Sequence, residues 1–311
     1  MDLDKKYTYD ELVEELKDIF RRETKLCKTT IDHQVTRIVK WVSYKKKHFL
    51  RELIYEIEDS MKVLEEEKSI KHTPENHHSY IGSVVSFIRH ILKDSEVEEK
   101  WKAIEKENWK PVAERYDLNQ PSERQKDKIM DFDEIERIRR TLEKGSFERL
   151  VISMYTLIEP VRADYYRTEL IQEGEESKEE NYIVLGNPYR MVLKDFKTKG
   201  SFKEITNIFS EELKEELDES LKKYPRNYLF VMDDRKSPYL SRNSFTSWGV
   251  RALKRGLNHP MSFTALRHIY ITNKIKQKTP SSEMVEIAKR MGHARATQRL
   301  YEWQNKKEED E

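Results

Sequence analysis

The sequence predicts a mainly α-helical protein with a small antiparallel sheet, an α+β arrangement, and three observations predict it. Only 8 Gly and 9 Pro occur among 311 residues, too few for a chain built from many tight turns. Apolar residues recur with a period near 3.6 along most of the length. One short region breaks that period: two runs of strand-forming residues, Tyr182–Leu185 and Arg190–Phe196, flank a Gly186-Asn187-Pro188 turn and read as a β-hairpin. The length suits two domains. Although 38% of residues are charged, 5 Trp, 16 Tyr and 11 Phe indicate packed cores over disorder.

Residues 1–118 read as a four- to five-helix bundle. Leu12, Val13, Leu16, Ile19 and Phe20 mark a first helix over Tyr9–Phe20. Thr29 or Thr30 is placed to cap a second, which carries Ile31, Val35, Ile38, Val39 and Val42. A third is expected from about His48 to Glu66, Pro74 punctuates, and Tyr80–Leu92 makes a fourth. Trp101–Leu118 reads as one more helix or a linker segment. Lys45, Lys46 and Lys47 form an exposed basic knot, suited either to phosphates or to a solvated loop.

Residues 119–128 hold no apolar residue beyond Pro121 and are the expected linker. Residues 129–311 form the second expected domain. Helices are predicted over Asp131–Leu142 and Phe147–Ile158, with Pro160 ending the second. After the hairpin, the segment from Lys197 to Ser201 turns into a third strand, Phe202–Ile208. Ser210 caps a helix reaching about Tyr224. Further helices are expected over Ser241–Gly256, Ser262–Lys278 and Ser282–Met291, with Gly292 as the stop of the last.

Composition narrows the function. No apolar run approaches the roughly 18 residues that span a bilayer, and the first residues lack the apolar core of a signal peptide. Cys27 is the single cysteine, so an intrachain disulfide and a cysteine-based zinc site are excluded. The expectation is an intracellular, non-secreted protein. His33, His72, His77 and His78 invite a metal reading, but the His72–His78 cluster sits in a polar stretch beside Pro74; no metal, cofactor or membrane partner is expected. Glycine-rich phosphate loops and the motifs of zinc proteases and serine hydrolases are missing from the sequence.

Net charge is only +1, but it is segregated. Arg235–Tyr301 holds 14 Lys/Arg against Glu283 and Glu286, a balance of +12, and no acid occurs from Arg235 to Ser282. A surface meant only for solubility mixes signs; this one suits a polyanion. Arg242, Arg251, Lys254 and Arg255 are its candidate DNA contacts, together with the Lys45–Lys47 knot.

Across the second half of the chain stands an ordered set: Arg162 in the turn after a buried helix, Lys197 at the hairpin, Arg267 and His268 ending Thr264-Ala265-Leu266-Arg267-His268, His293 after Met291-Gly292, and Tyr301. It supplies cations for a scissile phosphate, a proton donor for a leaving oxygen, and a tyrosine to attack phosphorus. The order resembles the catalytic domain of tyrosine recombinases of the phage-integrase type. That family carries an Arg after a helix, a Lys on a β-hairpin, a His-x-x-Arg motif, a Gly-His motif and a nucleophilic Tyr. The likeness spans about Asp131–Trp303, and its wording is nearest to members from eukaryotic mobile elements and large DNA viruses. The N-terminal bundle would then match the family's DNA-clamping core-binding domain.

The resemblance implies these roles. Arg162 and Arg267 clamp the non-bridging phosphate oxygens, Lys197 protonates the 5′-oxygen, His293 donates a hydrogen bond, and Tyr301 forms a 3′-phosphotyrosyl link. Lys194 and Lys199 are rivals for the role of Lys197. Double-stranded DNA and a homotetramer on it are the implied partners. Two features depart from the family: Thr264 stands where its first motif histidine is found, with His268 trailing, and His293 precedes Tyr301 by eight residues, one fewer than usual. Thr264 and His268 are therefore auxiliary candidates. The expected function is a site-specific DNA recombinase or integrase. The alternatives are a type IB topoisomerase-like enzyme and a DNA-binding relative without catalysis.

Overall fold

The computed structural model describes residues 1–44, 49–232 and 236–303, except for the side chains of Arg124 and Arg299. The chain divides into two compact units, Met1–Tyr116 and Asp117–Glu311. The basic knot Lys45, Lys46 and Lys47 lies outside the described residues.

The first unit is helical: α1 (Tyr9–Glu23), α2 (Lys28–Tyr44), α3 (Leu50–Tyr55), α4 (Ile57–Glu66), α5 (Pro74–Phe87) continuing into a π turn at Ile88–Leu92, and α6 (Ser95–Asp117), whose last residue opens the second unit. Its core gathers Leu16, Phe20, Trp41, Leu64, Ile81 and Trp101, with Trp41 and Trp101 meeting edge to face at 5.6 Å. The helix expected over His48–Glu66 is broken at Glu56. The carbonyls that would continue it are taken by side chains: Trp101 Nε1 donates to Ile54 and Ser60 Oγ to Leu53, each at 2.9 Å. Thr29 and Thr30 lie inside α2, which starts two to three residues earlier than expected, with the Ile31 amide on the Cys27 carbonyl. Pro74 opens α5 instead of only punctuating: it occupies the first turn behind the Thr73 cap, where its missing N–H costs nothing.

The second unit contains α7 (Glu123–Lys126), α8 (Phe132–Thr141), α9 (Phe147–Thr156), α10 (Lys199–Phe202), α11 (Glu211–Lys223), α12 (Arg242–Leu257), α13 (Phe263–Lys276), α14 (Ser281–Arg290) and α15 (Arg295–Arg299). The predicted cap Ser210 accepts a backbone N–H from the first turn, and Ser241 and Ser262, expected as first residues of their helices, act as caps in the same way. Residues 119–128 are not featureless: Ser122 and Gln125 form a capping box around the single turn of α7. Buried Arg139 and Arg149 converge on Glu216, which joins α8, α9 and α11.

The sheet is mixed, not purely antiparallel as predicted. Its order is β1 (Glu169–Gln172), β2 (Asn181–Leu185), β3 (Arg190–Leu193), β4 (Ile205–Ile208), and β1 runs parallel to β2 with Leu170 opposite Ile183. β1 has only two apolar residues between polar ends. Distant backbone supports it: Leu170 N–H donates to Asn227 O and Leu229 N–H to Thr168 O, both at 2.8 Å. β4 begins at Ile205 because Lys199–Phe202 coils into a turn of helix and Lys203 (φ 53°) reverses the chain. No helix among the described residues is long and apolar enough to cross a membrane.

Candidate active site

Four of the five predicted site residues, Arg162, Arg267, His293 and Tyr301, meet in one cluster. After α9 the chain turns through Pro160, where the Pro160 carbonyl accepts from Arg267 Nη1 at 2.5 Å. The carbonyl of Arg162 accepts from the hydroxyl of Tyr155 at 2.7 Å, so α9 sets the height of that turn. The Tyr155 ring stacks on Phe263, the first residue of α13, at 4.7 Å and 4°. Arg267, one turn further along α13, is 1% exposed. Its Nη2 donates to His293 Nδ1 at 3.1 Å, while its Nε is buried without a partner.

His293 reaches this spot because α14 ends at Gly292 with φ 70°, a conformation open to glycine. A Cβ there would lie 3.0 Å from Ile205 Cδ1, so β4 and the stop of α14 approach within a glycine's width. The single helical stretch of α15 then brings the chain back to Tyr301 within the eight-residue spacing. The Tyr301 ring lies parallel to that of His293 (5.2 Å, 11°), under the Arg267 guanidinium (5.1 Å), with its hydroxyl 3.5 Å from Arg162 Nη2. His268 Nδ1 pairs with the Tyr301 carbonyl at 2.9 Å, and the His268 ring stacks on Trp303 at 4.3 Å. Trp303 is anchored in turn by its amide on Thr272 Oγ1 at 3.0 Å.

The electrostatics suit an anion. Burial, reinforced by Arg267 and Arg162, pushes His293 down to about 3, so its ring is neutral near pH 7. Burial likewise holds His268 near 4, and burial lowers Arg267 from its ordinary value. For Tyr301, burial raises the phenol, but Arg267 and Arg162 outweigh it and the net direction is down. His293 Nε2, buried and unpartnered, joins Arg267 Nε as a polar group without a mate in the protein.

Lys197 is exposed and, among the described residues, carries no hydrogen bond or ion pair, whereas Lys194 pairs with Glu204 and Lys199 with Asp195 and Glu180. Its neighbour Thr198 donates to the Gly292 carbonyl at 2.6 Å, which ties the lysine loop to the residue before His293. Thr264 is exposed in the first turn of α13. Of the predicted DNA contacts, Arg251 and Lys254 are exposed and unpaired among the described residues, and Arg255 pairs with Glu148. Arg242 does not project freely: it bridges Asp164 and Asp195.

Several supporting residues carry no motif: Tyr155, Thr198, Asn181 and Trp303 act through contacts far apart in sequence. Asp164, two residues after Arg162, is the local exception. Among the described residues, no group of three or more His, Cys, Asp or Glu is placed to hold a metal.

No protein-family model and no curated protein matches the sequence. Among solved structures the chain is similar to XerA recombinase, at 15% identity and a TM-score of 0.40, covering 96% of this chain and 95% of that one. It is also similar to the integrase from mycobacterium phage Brujita, at 12% identity and a TM-score of 0.33, covering 93% and 89%.

Proposed function

We propose that this protein is a DNA strand transferase of the tyrosine-recombinase type, cutting and rejoining duplex DNA through a 3′-phosphotyrosyl intermediate. The observation that carries the reading is the convergence of Arg162, Arg267, His293 and Tyr301, with Arg267 Nε and His293 Nε2 buried and without a partner among the described residues. A phosphodiester is the anion that such a set fits. The two guanidiniums and His293 Nε2–H hold its non-bridging oxygens, where charge grows as phosphorus becomes pentavalent.

In the forward step the Tyr301 oxygen forms a bond to phosphorus, its proton passing to solvent, and the bond from phosphorus to the 5′-oxygen breaks. Lys197 delivers a proton to that oxygen, which leaves as a 5′-hydroxyl. The phosphodiester count is unchanged, so a second 5′-hydroxyl reverses the step without an external energy source. His293 serves as a neutral hydrogen-bond donor, not as an acid. The Arg162 and Arg267 charges favour the phenolate, which offsets the absence of a base at Thr264.

Duplex DNA is the partner in this reading, held in part by Arg251 and Lys254, and strand exchange between two duplexes requires a tetramer. The test uses short duplexes of random sequence with a nick that lets the 5′-hydroxyl fragment escape. A denaturation-resistant protein–DNA adduct is expected, and Tyr301→Phe removes it. Thr264 favours a second reading, a relative that binds DNA without cutting it; salt-sensitive binding with no adduct from any duplex would establish that one.

A further inference from the structure

The two cation-bearing segments of the site share a feature that the proposed chemistry does not use. Asp164 lies two residues after Arg162, and Asp195 lies two residues before Lys197. Both are held by one side chain, Arg242, the first residue of α12. Its Nε meets Asp164 Oδ1 at 3.1 Å, and its Nη2 meets Asp195 Oδ2 at 3.0 Å and the Asp195 carbonyl at 2.9 Å. The guanidinium lies over the Tyr166 ring at 5.2 Å, and the Tyr166 hydroxyl donates to the same Asp195 oxygen at 3.1 Å.

A second brace runs alongside. Buried Asn181, at the start of β2, donates through Nδ2 to the carbonyls of Asp164 (2.9 Å) and Asp195 (3.0 Å). Its Oδ1 accepts the amides of Lys194 and Asp195 at 2.9 and 2.8 Å. The Arg162 turn and the Lys197 loop are thus cross-linked twice, once through side-chain charges and once through backbone.

We infer that Arg242 is a positioning residue, which fixes Lys197 relative to the Arg162 phosphate clamp rather than contacting DNA. The inference rests on the strand-transfer reading above. A planar fork suits such a bridge, because one guanidinium spans two carboxylates and a carbonyl, which a lysine ammonium does not match. Asp164, 3% exposed, has burial pushing its carboxyl up against the pull of Arg242. Arg267 and Arg162 oppose that rise together with Arg242.

The test compares cleavage of two nicked duplexes that differ in one atom, the bridging 5′-oxygen or a 5′-sulfur. A thiolate leaves without a proton, so the sulfur duplex bypasses Lys197. Lys197→Ala serves as the reference: slow on oxygen, restored on sulfur. Arg242→Lys is expected to slow oxygen cleavage about tenfold or more, to regain most of the rate on sulfur, and to bind DNA within about twofold of the parent. Asp195→Asn, at a less buried position, is expected to act in the same direction more weakly, and thermal melting of both variants establishes that they fold. Equal losses on both duplexes, a binding defect with unimpaired cleavage, or no effect of either substitution would overturn the inference while leaving the strand-transfer reading intact. Absence of any adduct from the parent protein would overturn both.

Discussion

Arg267 Nη2 donates to Nδ1 of His293 over 3.1 Å, and that one contact assigns the proton on the imidazole. A guanidinium has no lone pair to offer, so Nδ1 accepts, and the proton of the neutral ring sits on Nε2. Nε2 is the buried nitrogen without a partner in the protein. The arginine thus leaves the histidine's single donor, Nε2–H, free of any partner among the described residues.

The same burial makes stability depend on pH. His293 is held at about 3 and His268 at about 4, below the ordinary 6.5. Between those values the unfolded chain takes up protons that the native state refuses. The associated stability is fully present above pH 6.5 and is lost as the pH falls toward 4 and then 3. Urea unfolding is expected to show a lower midpoint at about pH 5 than at about pH 7, and His268→Gln should narrow that difference. A pH-independent midpoint would show that neither ring is buried in its neutral form.

Tyr301 should ionise at a lower pH than an ordinary tyrosine, because Arg267 and Arg162 stabilise the phenolate more than burial opposes it. Ultraviolet difference spectra between the parent and Tyr301→Phe would isolate this titration. Removing one of the two cations with Arg162→Ala is expected to move it upward. A Tyr301 phenol that titrates above the usual range in the parent would contradict the packing described.

The salt dependence of DNA binding separates the basic residues. Removal of one phosphate contact reduces the slope of log affinity against log salt by about 0.9. Lys254→Gln, on the exposed face of α12, is expected to lower the slope by about that amount. Arg242→Gln is expected to leave it unchanged, since its guanidinium is engaged by Asp164 and Asp195.

Gly249 links packing to the site. A Cβ at this position of α12 would lie 2.0 Å from the Phe263 ring, and Phe263 stacks on Tyr155, whose hydroxyl holds the Arg162 carbonyl. Gly249→Ala forces the ring to shift and is expected to cost about 1–3 kcal/mol of stability. Strand cleavage should fall beyond what the loss of folded protein accounts for. Measured stability equal to the parent's would mean that the ring has room the packing does not show.

The helices of the second unit were legible in the sequence because their signals are local: Ser210, Ser241 and Ser262 announce starts, and Gly292 a stop. What was not legible depended on distant partners. β1 exists because residues near Asn227 and Leu229 complete its hydrogen bonding, and α3 parts from α4 because Trp101, far along the chain, takes a carbonyl. The site follows the same division. Residue type and order suggested Arg162, Arg267, His293 and Tyr301, but nothing in the local sequence distinguished Lys197 from Lys194 and Lys199. Arg242 read as one more surface cation in an acid-free stretch, because the two aspartates it holds lie 78 and 47 residues away.

The most direct test is to find which atom of the protein becomes joined to DNA. Trapped adduct is digested with a protease and a nuclease, and the nucleotide-bearing peptide is sequenced by mass spectrometry. A single modified residue is expected, Tyr301, linked through a 3′-phosphate. A nucleotide on any other side chain, or on the 5′ side of the break, would contradict attack by this tyrosine.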